Sequence, residues 1–170
     1  KPVVQGYNLA LDREPTATEV WESIDDVKNY DEVVFCGFGE PTLRLDVIKE
    51  VAKKVKDNGG RVRLNTNGHG NVINKRNILP ELSGLIDEVS VSLNTDSSEA
   101  YDQICQPLPK FRNGIYEKIK EFIEEAKRHI PDVQASIVTH QNGVDESNCE
   151  EIVNKEFGVK YRARRYNIVG

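Results

Sequence analysis

The chain has 170 residues, with 23 basic against 28 acidic side chains and a net charge of −5. This is enough for one domain, residues 1–170, with a sizeable core. The acidic balance excludes a general nucleic-acid binder, whose cations cluster in excess. No apolar run reaches the roughly 20 residues of a membrane span, and no signal-peptide pattern opens the chain. Cys36, Cys105 and Cys149 are odd in number and far apart, giving neither a disulfide framework nor metal-ligand spacing. A reducing, cytoplasmic protein is expected.

Taken in chain order, two kinds of segment alternate. Thr18–Lys28 carries Val20, Trp21, Ile24 and Val27 at helical spacing. The apolar run Val33–Cys36 reads as a strand. Leu43–Lys56 reads as a helix stopped by Asn58-Gly59-Gly60. Strand Arg61–Asn65, a short helix Ile78–Leu85, strand Glu88–Leu93 and helix Ser97–Ile104 follow. Helix Ile115–His129 runs to Pro131, then strand Val133–Thr139, helix Glu146–Phe157 and strand Val159–Tyr166. This alternation predicts an α/β fold with a parallel sheet and helical crossovers, and places any site at the strand C-termini.

The strands are two-faced. Val89, Val91 and Leu93 oppose Ser90, Ser92 and Asn94, and Val62, Leu64 and Thr66 oppose Arg61, Arg63, Asn65 and Asn67. Gln134 and Ser136 oppose Ala135 and Ile137, and Arg162 and Arg164 oppose Ala163. Unpaired buried polar groups are costly, so one sheet face is expected to line a polar cavity and the other to carry the helices. A curved, partly closed barrel does this better than a flat sheet covered on both faces.

The stretch "CGFGEPTL", residues 36–43, ends the first of these strands in a glycine turn. Its exposed main-chain groups suit a zwitterion, with carbonyls accepting from an ammonium and amides donating to a carboxylate. No Gly-Lys-Ser/Thr follows, and the third glycine of a dinucleotide fingerprint is absent. A plain strand-to-helix turn is the other reading of these residues.

The segment resembles the Gly-Gly-Glu-Pro motif of radical S-adenosylmethionine enzymes, with Gly37, Phe38, Gly39 and Glu40 in its frame. "LNTNG" (64–68) resembles the end of that family's third strand, "VSVSLNT" (89–95) its fourth and "VQASIVT" (133–139) its fifth. The likeness covers the chain from about Thr16 onward, in the family's order. With "YNIVG" (166–170), these stretches look most like the TatD-linked members, named for a TatD-type nuclease. The resemblance implies a partial TIM-type (βα) barrel of five parallel strands in sequential order, with helices outside. It implies S-adenosylmethionine as cofactor, held by Gly37, Phe38, Gly39, Glu40, Asn65, Ser92, Asn94, Ser136 and Arg164. It also implies a 4Fe–4S cluster, but the family's Cys-x-x-x-Cys-x-x-Cys ligand motif is not in this sequence. The expectation is that this chain, which starts at Lys1 and has no methionine, is the C-terminal greater part of such a core and is inactive alone.

The remaining candidates have plainer readings. Cys36 is expected to be a buried small hydrophobe, Cys105 and Cys149 structural, and His69, in a glycine-rich loop at the mouth, a solvated loop residue rather than a substrate contact. His129 complements a helix end, and Lys53, Lys54 and Lys56 form a solvated face. His140 follows the fifth-strand motif. Arg162, Arg164 and Arg165 either meet an anionic ligand or pair with carboxylates across strands. The expected function is reductive cleavage of S-adenosylmethionine to a 5′-deoxyadenosyl radical, acting on an unassigned substrate. The alternatives are a cluster-free binding module, or a barrel enzyme using Glu40 as general base. Val33–Cys36 is expected to form an open sheet edge that self-associates or is covered by Lys1–Leu11.

Overall fold

The computed structural model describes residues 3–4, 7–8, 10–37, 39–112, 114–139 and 144–165. Two short strands, β1 (Val3–Val4) and β2 (Tyr7–Asn8), pair antiparallel as a separate hairpin. Helix α1 (Ala17–Glu22) opens with a capping box. The Thr16 hydroxyl accepts from the Glu19 amide while the Glu19 carboxylate accepts from the Thr16 amide.

Four βα units and a final strand follow: β3 (Val33–Phe35), α2 (Leu45–Asp57), β4 (Val62–Thr66), α3 (Gly70–Ile73), α4 (Leu79–Leu82), β5 (Glu88–Ser92), α5 (Ser98–Ile104), α6 (Ile115–His129), β6 (Asp132–Thr139), α7 (Glu146–Glu151) and β7 (Lys160–Arg165). The five larger-sheet strands are all parallel, in the spatial order β3-β4-β5-β6-β7.

The helix expected over Ile78–Leu85 is only Leu79–Leu82, a further short helix, Gly70–Ile73, was not expected, and two other helices differ from the periodic pattern in form. The segment expected as one helix over 18–28 stops at Glu22, where the Ser23 hydroxyl bonds the Val20 carbonyl. A 3₁₀ turn, Val27–Asn29, restarts it under an Asp26 cap. Val27 is still buried and Val20, Trp21 and Ile24 still pack on the core, so the spacing reported burial correctly but not helix continuity. The last helix keeps its α form only to Glu151, then widens into a π-helical turn, Ile152–Phe157, ended by Gly158 in the left-handed region.

One face of the sheet builds the core. Val62, Leu64, Val89, Val91 and Ala135 are essentially inaccessible and pack with Ile48 and Val51 of α2 and Ile119, Phe122 and Ile123 of α6. The opposite face is polar, and the register aligns it in rows. Asn65 pairs with Ser90 and Ser90 with Gln134, while Ser92 pairs with Ser136 and Ser136 with Arg162.

At the N-terminal edge these polar groups satisfy one another. Arg61 reaches Glu88 at 3.2 Å and Asp132 at 3.0 Å, Lys160 reaches Asp132 at 3.0 Å, and Arg63 reaches Glu32 at 2.8 Å. Gln134 donates to Glu88 at 2.7 Å. Asp87 accepts from both Lys56 and the Val62 amide.

β3 is hydrogen-bonded on one side only, to β4, so its other edge is open among the described residues. The β1–β2 hairpin does not join it; Leu11, Glu14 and Pro15 instead border a groove beside Val34 and Phe35.

Candidate functional site

The strand C-termini hold two adjoining chambers. The smaller, about 280 Å³, is lined by Gly37, Gly39, Glu40, Asn65, Ser92 and Arg164, with Cys36, Thr66 and Asn67 completing its wall. The larger, about 930 Å³, opens beside it and shares Glu40 and Asn67.

Glu40 is the hinge between the two. It caps the 3₁₀ turn Pro41–Arg44, accepting from the Thr42 amide at 3.1 Å and the Thr42 hydroxyl at 2.6 Å. The same oxygen, Oε1, accepts from the Thr66 hydroxyl at 2.7 Å, and Oε2 accepts from the Asn67 amide at 2.8 Å. One carboxylate therefore straps the loop after β3 to the loop after β4. This engagement suits positioning rather than proton abstraction from a ligand. The strap continues into the second loop, where Thr66 accepts from the Gly68 amide and Asn67 from the His69 amide. Gly68, at φ +80°, lies so close to Ile119 and Val91 that a Cβ would stand 3.0 and 3.1 Å from them.

Gly37 and Gly39 line the small chamber, and a Cβ at either would meet nothing within 4 Å, so their main chain borders open space. Gly39 sits at φ +149°, which L side chains rarely adopt. Asn65 Oδ1 is buried with no donor. So is Asn94 Oδ1, although its amide nitrogen contacts Cys105 Sγ at 3.6 Å. A buried unsatisfied oxygen costs on the order of 1–3 kcal/mol. Two of them at one sheet edge mark places for a ligand's donors. Asn94 tolerates its left-handed backbone (φ 65°) better than most residues, which turns the chain out of β5 at this point.

No carboxylate lies within ion-pair distance of Arg162, Arg164 or Arg165 among the described residues, so the cross-strand pairing considered for them is not made. Arg164 is exposed on its strand, yet partial desolvation at the chamber wall, with Arg162 nearby, pushes its guanidinium below its ordinary pKa. An anion in the small chamber would relieve that.

Of the residues anticipated from sequence, Gly37, Gly39, Glu40, Asn65, Ser92 and Arg164 meet at the small chamber, and Asn94 lines the larger one. Ser136 pairs with Ser92 in register but is 2% exposed and lines neither. Phe38, His140 and the stretch 166–170 lie outside the described residues.

Two expectations are corrected. Cys36 is exposed rather than buried, because β3 ends at Phe35 and Cys36 passes onto the mouth. His69 is 8% exposed rather than solvated, because Tyr101 of α5 and Phe111 close over it. Its Nε2 lies 3.0 Å from the Tyr101 hydroxyl, and burial pushes its pKa below 6.5 against the pull of Glu40. Burial pushes the Tyr101 hydroxyl and the Cys105 thiol upward.

Thr66 and Asn67 were also missed as site residues. The signal for Thr66 was a lone hydroxyl on the Val62–Leu64 core face; nothing local to residue 69 foretold Tyr101.

The residues present fit an adenosylated amino acid. Asn65 and Asn94 supply free oxygens for an ammonium or hydroxyl, the glycine turn supplies main-chain groups, and Arg164 supplies a carboxylate partner. They do not fit an iron–sulfur cluster. Among the described residues no three His, Cys, Asp or Glu side chains gather as ligands, and Cys149 is fully buried.

The sequence pattern of the Radical SAM superfamily matches residues 7–155. No curated protein matches the chain. A solved structure of TYW1 with a lysine–pyruvate adduct bound is similar in fold, at TM-score 0.60 and 17% identity, over 82% of this chain. The chain spans 43% of that protein's length. Its five parallel strands in sequential order, with helices packed on one face, are the partial barrel seen there. By the extent of the family match, this chain belongs to the radical SAM superfamily.

Proposed function

We propose that this chain is the S-adenosylmethionine-binding part of an enzyme that cleaves the cofactor reductively to a 5′-deoxyadenosyl radical. The observation that carries the reading is the pair of donorless buried oxygens, Asn65 Oδ1 and Asn94 Oδ1, at the C-terminal edge of the sheet. Gly37, Gly39 and the Glu40 strap hold the methionine ammonium against main-chain carbonyls. Arg164 meets its carboxylate, and Ser92 and Asn94 meet the ribose. The chain's own share is to bind, orient and exclude water. Because the described residues offer no ligand set for a cluster, no electron-transfer step is assigned to them.

The test is calorimetric titration of the purified chain with S-adenosylmethionine and S-adenosylhomocysteine. Binding that weakens by at least about tenfold in Asn65→Leu and in Arg164→Gln supports the reading, a loss of roughly 1.4 kcal/mol or more. No binding of either compound overturns it. Anaerobic reconstitution with iron and sulfide should leave the chain colourless.

A second reading, a binding module that works without a cluster, is favoured by the dispersal of Cys36, Cys105 and Cys149. It predicts nucleoside binding but no 5′-deoxyadenosine, even when cluster-binding sequence is supplied upstream in a fusion. The narrower likeness to TatD-linked members rests on the quoted motifs alone. The open β3 edge belongs to the proposal as a pairing surface for another strand. Concentration-dependent association in sedimentation velocity, lost in Val34→Lys, is the outcome expected of it.

A further inference from the structure

The larger chamber differs in chemistry from its neighbour. Its walls are apolar and aromatic, formed by Val72, Ile73, Ile104, Tyr101 and Phe111, with Leu43 and Leu108 at the lip. Leu43 is 63% exposed and Leu108 61%, among the most exposed large apolar side chains described. Its volume of about 930 Å³ is that of a small-molecule site, which typically spans roughly 300–1,000 Å³.

The lip also carries Lys75 and Lys110. Most other lysines are engaged, Lys49 with Glu81, Lys53 with Asp57, Lys56 with Asp87 and Lys118 with Glu121, Lys28 being a further described lysine without an ion pair. Lys75 and Lys110 have no carboxylate within ion-pair distance among the described residues, although the protein is acidic. Lys110 lies over the Phe111 ring, 4.8 Å from its centroid, which keeps its charge at the opening. Among the described residues the chamber's one carboxylate is Glu40, which also lines the small chamber and is held by four donors. His69, driven toward its neutral form by burial, adds little positive charge to the wall near neutral pH.

We propose that the larger chamber binds the substrate of the reaction inferred above, and that this substrate is an amphipathic small-molecule anion. Its apolar body lies against Ile104, Tyr101 and Phe111, and its anionic head lies between Lys75 and Lys110 at the lip. That orientation turns the body toward Asn94 and the small chamber and keeps the head away from Glu40. The ligand class stands on this chamber's own chemistry; its role as substrate rests on the cofactor reading.

The experiment uses 8-anilinonaphthalene-1-sulfonate fluorescence on the full chain, with octanoate, octyl phosphate and octanol as competitors. Both anions should displace the probe at least about tenfold better than octanol. In the double variant Lys75→Gln/Lys110→Gln that preference should vanish while octanol displacement is unchanged. Leu108→Glu, at an exposed position, should lose the probe itself. A phosphate preference over carboxylate, or the reverse, names the head group.

Equal displacement by octanol and the anions in the wild type overturns the inference, as does a preference that survives in the double variant. S-adenosylhomocysteine titrated into the same samples separates the two readings. Nucleoside binding without anion preference overturns this inference alone. Anion preference without nucleoside binding upholds the ligand class and overturns the cofactor reading on which the substrate role depends.

Discussion

The two edges of the sheet are made from the same kinds of residue and treat them oppositely. At the N-terminal edge, Arg61, Glu88, Asp132, Lys160 and Gln134 close a network, and only Arg63 Nε is left without an acceptor. At the C-terminal edge, Asn65 and Asn94 each keep an oxygen unmet, and Arg164, Lys75 and Lys110 have no carboxylate among the described residues. Stability alone would favour the first arrangement at both ends. The unmet groups are retained where parallel strands end and ligands bind in such folds. A side chain's function is therefore read from what it fails to contact as much as from what it contacts.

The largest effect that would break this contrast is at Glu40, whose carboxylate is engaged by four donor groups at the C-terminal edge. Glu40→Ala removes four acceptor contacts and frees two loops from each other. Chemical denaturation should show a loss of roughly 2–4 kcal/mol, and calorimetry should show lost nucleoside binding. A variant as stable as the wild type would show that the strap does not hold the loops.

Next, Asn65→Leu removes an unmet oxygen. It should leave the free protein as stable or up to about 1 kcal/mol more stable, while weakening S-adenosylhomocysteine. Gln134→Ala at the other edge should do the reverse. It should lower stability by about 1 kcal/mol, read from the denaturation midpoint, with nucleoside affinity unchanged. Equal behaviour of these two variants would erase the distinction between the edges.

The smallest effect is in pH. The folded pKa of His69 lies below 6.5, so between the two values the unfolded chain binds the extra proton. Its contribution is fully present above 6.5 and is lost as pH falls from there toward the folded value. The melting temperature should drop from about pH 7.5 to about pH 5.5, and His69→Gln should flatten that slope. Glu40 and the Tyr101 hydroxyl are the groups that face it.

The five strands of the larger sheet and their parallel direction were legible because strands alternate with helical crossovers, while their sequential order came from the family resemblance; the two-residue strands Val3–Val4 and Tyr7–Asn8 were not foreseen. The polar rows were legible too, since Asn65, Ser90 and Ser92 fall on one parity within their strands. Non-local closure was not. His69 is buried by Tyr101, 32 residues away, and by Phe111, which no window around residue 69 contains. Cys36 was misjudged by one residue of strand length, which was enough to move it from sheet to mouth. Ser136 has the right parity and shares a row with Ser92, but it is flanked by β5 and β7 and is only 2% exposed, so it lines neither chamber. Parity is a property of the sequence; burial depends on which strands and loops lie alongside.

The wall formed by Glu40 and Asn67 belongs to both chambers. Two ligands that touch one wall are thermodynamically linked. If filling the small chamber changes affinity in the large one by some factor, filling the large one must change the small one by the same factor. The Glu40 carboxylate, bonded to the loops after β3 and β4, is the group on that wall that a ligand in either chamber would meet. Titrating each ligand in the presence and absence of the other should return one coupling constant from both directions.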